Sequence, residues 1–99
     1  MQHIQHRRLT TRVKAPILSI QESRQIIGQR MKEARLNCGM SQEDVAAILF
    51  CDQTTVSRME RGLISPDCAE IRLLSSAFQL SILYLLGYPT FVVSAVGED

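Results

Sequence analysis

The amino-acid sequence predicts an all-α fold. Apolar side chains recur at helical spacing through most of the chain, and a serine or an aspartate stands before each periodic stretch as a candidate helix N-cap. Glycine, proline and aromatic residues are scarce, which favours helices over sheets. The chain has 99 residues, of which 45% are apolar, enough for one compact domain with short extensions. We therefore expect a compact five-helix domain over residues 19–87.

The first helix is predicted to run from Ile20 to Cys38. Ser19 and Glu22 have the spacing of a capping box at its N-terminus. Gly39 is expected to end the helix, because glycine reaches positive φ without a Cβ penalty. Apolar residues recur at helical intervals between these ends, at Ile27, Met31, Ala34 and Cys38.

Two short helices are predicted to follow. Ser41 caps the second helix, and Glu43 and Asp44 lie in its first turn, where the helix dipole favours negative charge. Asp52 caps the third helix, which ends at Gly62. Because the turn between these two helices is so short, the helices must cross at a steep angle, and the small side chain of Ala46 leaves room for this crossing. Their inner faces are formed by Val45, Ala46 and Leu49 and by Val56 and Met59.

The last two predicted helices begin at Asp67 and Ser81. Asp67 and Glu70 again have capping spacing, and Gly87 and Pro89 stop the fifth helix. Residues 88–99 form a short C-terminal tail, β-prone from Thr90 to Val96. The inner face of the fourth helix is Ile71, Leu74, Ala77 and Phe78, and the apolar residues of the fifth are Ile82, Leu83, Leu85 and Leu86.

The charge of the chain is unevenly distributed. The formal net charge is only +1, yet residues 1–21 carry four basic side chains and no acid, while all ten acids follow later. A phosphate backbone attracts such a segment largely regardless of sequence, so residues 1–18 are predicted to be a basic, flexible arm that contacts DNA. A merely solubilising tail is the alternative. The basic residues of the arm are Arg7, Arg8, Arg12 and Lys14.

Several other classes are disfavoured by the sequence. The longest apolar run is too short for a membrane span, and no apolar stretch follows the basic N-terminus as in a signal peptide, so a cytoplasmic protein is expected. His3 and His6 lack further metal ligands nearby, and no metal or cofactor is predicted. The three cysteines have no C-x-x-C spacing, and we expect reduced, packed thiols.

The stretch Ser41 to Leu49 reads SQEDVAAIL, and Gln53 to Gly62 reads QTTVSRMERG. Together they resemble the helix-turn-helix signature of the lambda-repressor-like (Xre/Cro-type) DNA-binding family. The resemblance covers about residues 27–87 and implies a transcriptional regulator that binds double-stranded DNA in the cell's nucleoid. A major groove admits one α-helix, and the N-terminal residues of that helix read the bases.

The side chains at the start of the third helix suit this role. Gln53 can form a bidentate pair with adenine, and Arg58 can bind guanine or a phosphate. The resemblance implies that Gln42 contacts phosphate and supports Gln53, with a generic capping or surface role as the alternative. Thr54 could contact only the sugar or phosphate of DNA, and Arg61 could either contact a phosphate or form a solvated helix end. The predicted DNA-contacting residues of the domain are Gln42, Gln53, Thr54, Thr55, Ser57, Arg58 and Arg61.

The resemblance also implies a structural ion pair between Arg35 and Glu60. If it is buried, loss of either partner should cost about 3–5 kcal/mol.

One residue departs from the family pattern, because Phe50 occupies the turn position where glycine is usual. A bulky residue with positive φ is strained by on the order of 1 kcal/mol. Either the turn is rearranged, or Phe50 packs against apolar surface that offsets the strain. Asp52 also departs, since the family often has serine or threonine at this cap.

One recognition helix touches few base pairs, so the sequence predicts a homodimer that reads a palindromic operator, most simply as a repressor. Helix 5 could instead only close the monomer core. A second hypothesis is an antitoxin that represses its own operon and binds a toxin protein. An enzyme is disfavoured, because no catalytic arrangement is suggested. The candidate dimerisation residues are Leu83, Tyr84, Leu86, Phe91 and Val93.

Overall fold

The structure is a computed structural model of the chain and describes residues 17–89. Within this range the chain forms five helices and no strand, so the predicted all-α, five-helix fold is confirmed. The four basic residues of the arm and the tail segment Thr90 to Val96 lie outside the described residues. The helices are α1 (Ile20–Asn37), α2 (Gln42–Leu49), α3 (Gln53–Glu60), α4 (Cys68–Phe78) and α5 (Ile82–Leu85).

Each helix begins after its predicted N-cap residue. In α1, the Glu22 amide donates to the Ser19 hydroxyl at 3.0 Å, and the Glu22 carboxylate accepts from the Ser19 amide at 2.8 Å. The same reciprocal capping box, with an acid at the third helical position, starts α2 and α4. These bonds satisfy backbone donors that a helix terminus otherwise leaves free.

One hydrophobic core holds the five helices together. Because α1 is the longest helix, it packs against α3, α4 and α5, while α2 packs against both α3 and α4. The small side chain of Ala46 is buried in this core, as the close approach of α2 requires. The buried core consists of Met31, Ala34, Val45, Ala46, Leu49, Val56, Met59, Leu74, Phe78 and Leu85.

All five helices end in the same hydrogen-bonding pattern. A residue just beyond each helix donates its amide to a carbonyl five residues earlier, as Cys51 does to Ala46 at 3.0 Å. This arrangement requires one residue in the left-handed conformation. Glycine supplies it in three of the helices, but Phe50 supplies it after α2 and Gln79 after α4. The sequence did not reveal the end of α4.

The turn at Phe50 differs from both expected outcomes, a rearranged turn or a packed ring. The turn is not rearranged, since Phe50 adopts φ 58° and ψ 44°, the usual left-handed geometry. Nor does its ring pack against apolar surface, because the residue is 90% exposed. The backbone strain of this position is therefore not offset by burial.

The expectation of packed cysteines is correct only in part. All three thiols are free, but Cys38 and Cys68 are exposed. Cys38 lies at the C-cap of α1, where the backbone leaves the helical path and the side chain leaves the apolar face. Cys51 is half-buried, and desolvation raises the pKa of its thiol.

No helix within residues 17–89 is long and apolar enough to cross a membrane.

Candidate nucleic-acid interface

Helix α3 combines a buried apolar face with an accessible polar face. Val56 and Met59 point into the core and fix the rotation of the helix about its axis. This rotation leaves Thr54 and Arg58 exposed. Three further residues on this side are half-buried, namely Gln53, Thr55 and Ser57.

Asp52 determines how α3 begins. Its Oδ1 accepts the Thr55 amide at 2.8 Å and the Thr55 hydroxyl at 2.7 Å. The hydrogen bonds from Thr55 hold the pKa of the Asp52 carboxyl below its usual value. Since the Thr55 hydroxyl proton is used in this cap, a DNA contact by Thr55 would rely on its oxygen as an acceptor or on its methyl group.

Gln53 is held by Gln42 of the preceding helix. The Gln53 Nε2 atom donates to the Gln42 Oε1 atom at 2.5 Å. The two glutamines begin α3 and α2 respectively, so this bond joins the N-termini of the two helices. The first side chain of α3 is thereby restrained next to the N-terminal end of α2.

A buried ion pair lies at the opposite end of α3. The Arg35 guanidinium donates to both carboxylate oxygens of Glu60, at 2.7 Å and 3.1 Å, and also to the Met40 carbonyl at 3.0 Å. The side chains are only 9% and 3% exposed. The hydrogen bond to Glu60 raises the pKa of Arg35, so the guanidinium remains charged. Glu60 also accepts from the Gln42 Nε2 atom at 3.0 Å.

Gly28 is a site residue that our sequence reasoning missed. It lies in α1 where that helix meets the last turn of α3, and a Cβ atom there would stand 2.3 Å from the Met59 carbonyl oxygen. It would also stand 2.7 Å from the Glu60 carbonyl oxygen. The two backbones therefore meet without an intervening side chain. A glycine inside a helical pattern was the available signal of this close approach.

The predicted dimerisation residues within the described range occupy different environments. Leu83 is 57% exposed, whereas Leu86 is half-buried. Tyr84 is half-buried as well, with the Arg30 guanidinium 4.3 Å above its ring and donating to its carbonyl at 2.7 Å. Nothing in the sequence spacing indicated this contact, because the two residues are 54 positions apart. Phe91 and Val93 lie outside the described residues.

Arg61 follows α3 as its C-cap residue and is exposed. It is therefore at the end of α3 remote from Gln53. The described part of the chain holds no group of three or more histidine, cysteine or acidic side chains that could bind a metal ion.

A short helix with an accessible polar face, fixed through a tight turn to a second short helix, is the arrangement of a helix-turn-helix motif. The chain belongs to the HTH_3 helix-turn-helix family, whose model matches residues 31–85. It is also 36% identical over 61 residues to the HTH-type transcriptional regulator ImmR of Bacillus subtilis. That match covers 62% of this chain but only 48% of ImmR, so the chain spans about half the length of this relative.

Several solved structures are similar in fold. The restriction-modification controller protein C.AhdI of Aeromonas hydrophila is 28% identical, with a TM-score of 0.61 over 69% of this chain and 99% of that one. The P22 c2 repressor, solved with a synthetic operator, is 26% identical, with a TM-score of 0.61 over 66% and 98%. The hypothetical transcription factor NHTF of Neisseria is 25% identical, with a TM-score of 0.62 over 88% and 97%.

Proposed function

We propose that this protein is a dimeric, non-enzymatic transcriptional repressor that reads a palindromic operator by inserting α3 into the major groove. The observation that carries the proposal is the polar face of α3, where Gln42 holds Gln53 and where Thr54 and Arg58 are accessible. Side chains that read bases must be accessible and held in place before DNA arrives. The similar P22 c2 repressor, whose structure contains an operator, supports this assignment.

The residues divide into two roles on DNA. Gln53, Thr54, Ser57 and Arg58 read base edges, with Thr55 limited to acceptor or methyl contacts. Arg61 and the N-terminal end of α2 contact phosphates, as do the basic residues of the arm over 1–18. Phosphate contacts set the position of the protein and base contacts select the sequence.

A dimer follows from the small size of this surface. An eight-residue helix reaches too few base pairs to select one site in a genome, and two copies on a two-fold axis double the site. We assign the contact to the outer side of α5, where Ile82 and Leu83 are exposed. An apolar groove lined by Ile71, Ile82 and Leu86 adjoins them and enlarges the surface that a second copy would cover. Half-sites would then lie about 34 Å apart.

Selection of bound sequences from a random DNA pool tests the reading role. We expect a palindrome whose preference at one position per half-site disappears in Gln53→Ala, with a loss of about 1–3 kcal/mol in specific binding. Gln29→Ala is the matched control, because this glutamine is also exposed but belongs to α1 and not to α3. An equal loss on random DNA would show that Gln53 does not read a base.

Sedimentation equilibrium tests the dimer surface. Leu83→Glu should dissociate the dimer, whereas Leu36→Glu should not, because Leu36 has nearly the same exposure on a different helix. A wild-type protein that remains monomeric on its selected operator would contradict the proposal. Recovery of the chain in a stable complex with a second, small toxic protein would favour the antitoxin function instead.

A further inference from the structure

Three successive polar contacts connect the core of the domain to the reading position. Arg35 binds both oxygens of Glu60, Glu60 accepts from Gln42 at 3.0 Å, and Gln42 accepts from Gln53 at 2.5 Å. The first member of this chain is an almost fully buried ion pair, and the last is the first residue of α3.

The ionised carboxylate determines the orientation of both amide groups. A carboxylate can only accept hydrogen bonds, so Gln42 must turn its NH₂ group toward Glu60. The Gln42 carbonyl oxygen then faces Gln53, which must in turn present its own NH₂ group. Reversal of Gln53 would require reversal of Gln42, and that would place an amide oxygen against the buried carboxylate.

This orientation leaves a definite hydrogen-bonding pattern on Gln53. One N–H of Gln53 is donated to Gln42, and its other N–H and its Oε1 atom make no hydrogen bond to any residue within 17–89. A free donor beside a free acceptor matches adenine, which offers the N7 acceptor and the N6 donor in the major groove. Guanine offers two acceptors there, N7 and O6, so the Oε1 atom would face an oxygen.

We propose that Glu60 is a positioning residue for base selection: its carboxylate fixes Gln53, through Gln42, in the orientation that accepts adenine and rejects guanine. The inference rests on the proposed function, in which Gln53 lies at a base edge. Glu60 thus has a role beyond its ion pair with Arg35, because its Oε1 atom accepts from both Arg35 and Gln42.

Two variants test this role. Each is measured for its affinity for a duplex selected from a random pool and for the same duplex with guanine in place of adenine at the position whose preference depends on Gln53. Glu60→Gln can donate as well as accept, so Gln42 and Gln53 can reverse, and the adenine preference should fall about tenfold. Gln42→Met leaves the ion pair intact and should cause the same fall, which keeps the test valid if Glu60→Gln does not fold. Gln29→Met is the control, since Gln29 also donates to a glutamate but on α1. An unchanged adenine preference in Gln42→Met would overturn the inference.

Proton exchange of the side-chain amides, measured by NMR in the free protein, separates this inference from the proposed function. Slowed exchange at Gln42 and Gln53 that disappears in Glu60→Gln supports the inference. Rapid exchange in the wild type, with a base preference that still depends on Gln53, overturns the inference alone. Slowed exchange with a base preference that Gln53→Ala does not alter overturns the reading role and with it the inference.

Discussion

Replacement of Phe50 by glycine should stabilise the domain. A bulky L-residue in the left-handed conformation costs about 1–2 kcal/mol, which glycine avoids. Against this, the greater freedom of glycine in the unfolded chain costs about 0.5–1 kcal/mol. Phe50 is 90% exposed, so only about a tenth of the 1.5–3 kcal/mol from burying such a side chain is forfeited. Taking the middle of each range, the net gain is about 0.5 kcal/mol, which should raise the melting temperature by about 2–4 °C.

Thermal unfolding followed by circular dichroism measures this gain. Gln79→Gly is the matched variant, because Gln79 is exposed and adopts nearly the same conformation at the end of α4. Phe50→Ala should change the melting temperature little, since alanine keeps the strained backbone and removes only an exposed ring. A Phe50→Gly variant that is no more stable than the wild type, together with a destabilised Phe50→Ala, would refute the reasoning and show that the ring packs in solution.

Three further predictions concern other parts of the chain. Gly28→Ala should lower the free energy of unfolding in urea by about 1–3 kcal/mol, since its Cβ would overlap the Met59 carbonyl. Gly39→Ala is the control and should lower it by only about 1 kcal/mol, because the space around Gly39 is open. Equal losses would disprove a close approach of α1 to α3. The folded-state pKa of Asp52 is lowered, so its stabilisation is complete above its usual pKa of 3.8 and is lost as the pH falls through the lowered value. The stability advantage of the wild type over Asp52→Asn should therefore shrink in acid unfolding series below pH 3.8, and a constant difference would exclude this linkage. Deletion of residues 1–14 should reduce the salt dependence of DNA affinity by about one slope unit for each phosphate that the arm neutralises, and an unchanged slope would make the arm a solubilising tail.

Local signals predicted the helices well because their causes are local. A capping box joins residues three positions apart, so Ser19 with Glu22 and Asp67 with Glu70 were recognisable in the sequence and mark the observed starts of α1 and α4. Apolar spacing likewise predicted most of the core. It was wrong for Cys38, because α1 ends at Asn37 and the Cys38 side chain no longer follows the helical spacing.

Contacts between residues far apart in the sequence could be predicted only from the family resemblance, and some of them could not be predicted at all. The resemblance brought Arg35 and Glu60 together across 25 positions. It gave no indication that Glu60 also binds Gln42, because that contact depends on how α2 and α3 cross. For Phe50 the sequence indicated strain, but whether the ring was buried depended on surfaces that spacing does not define. Gly28 could have been recognised, because glycine inside a helix costs about 1 kcal/mol and calls for a packing reason.

In the proposed complex with DNA, the residues that fix the orientation of α3 are chiefly ones that do not face the DNA. The helix has eight residues and is about 12 Å long, so a small tilt at one end moves the other end relative to the bases. Its C-terminal end is fixed to α1 by the Arg35 ion pair and by the backbone contact at Gly28, and its N-terminal end is fixed to α2 through Gln42. Since Gln42 also binds Glu60, the two ends are not independent. Substitutions on the inner side of α1 should therefore alter which sequence is bound, and not only how stable the domain is.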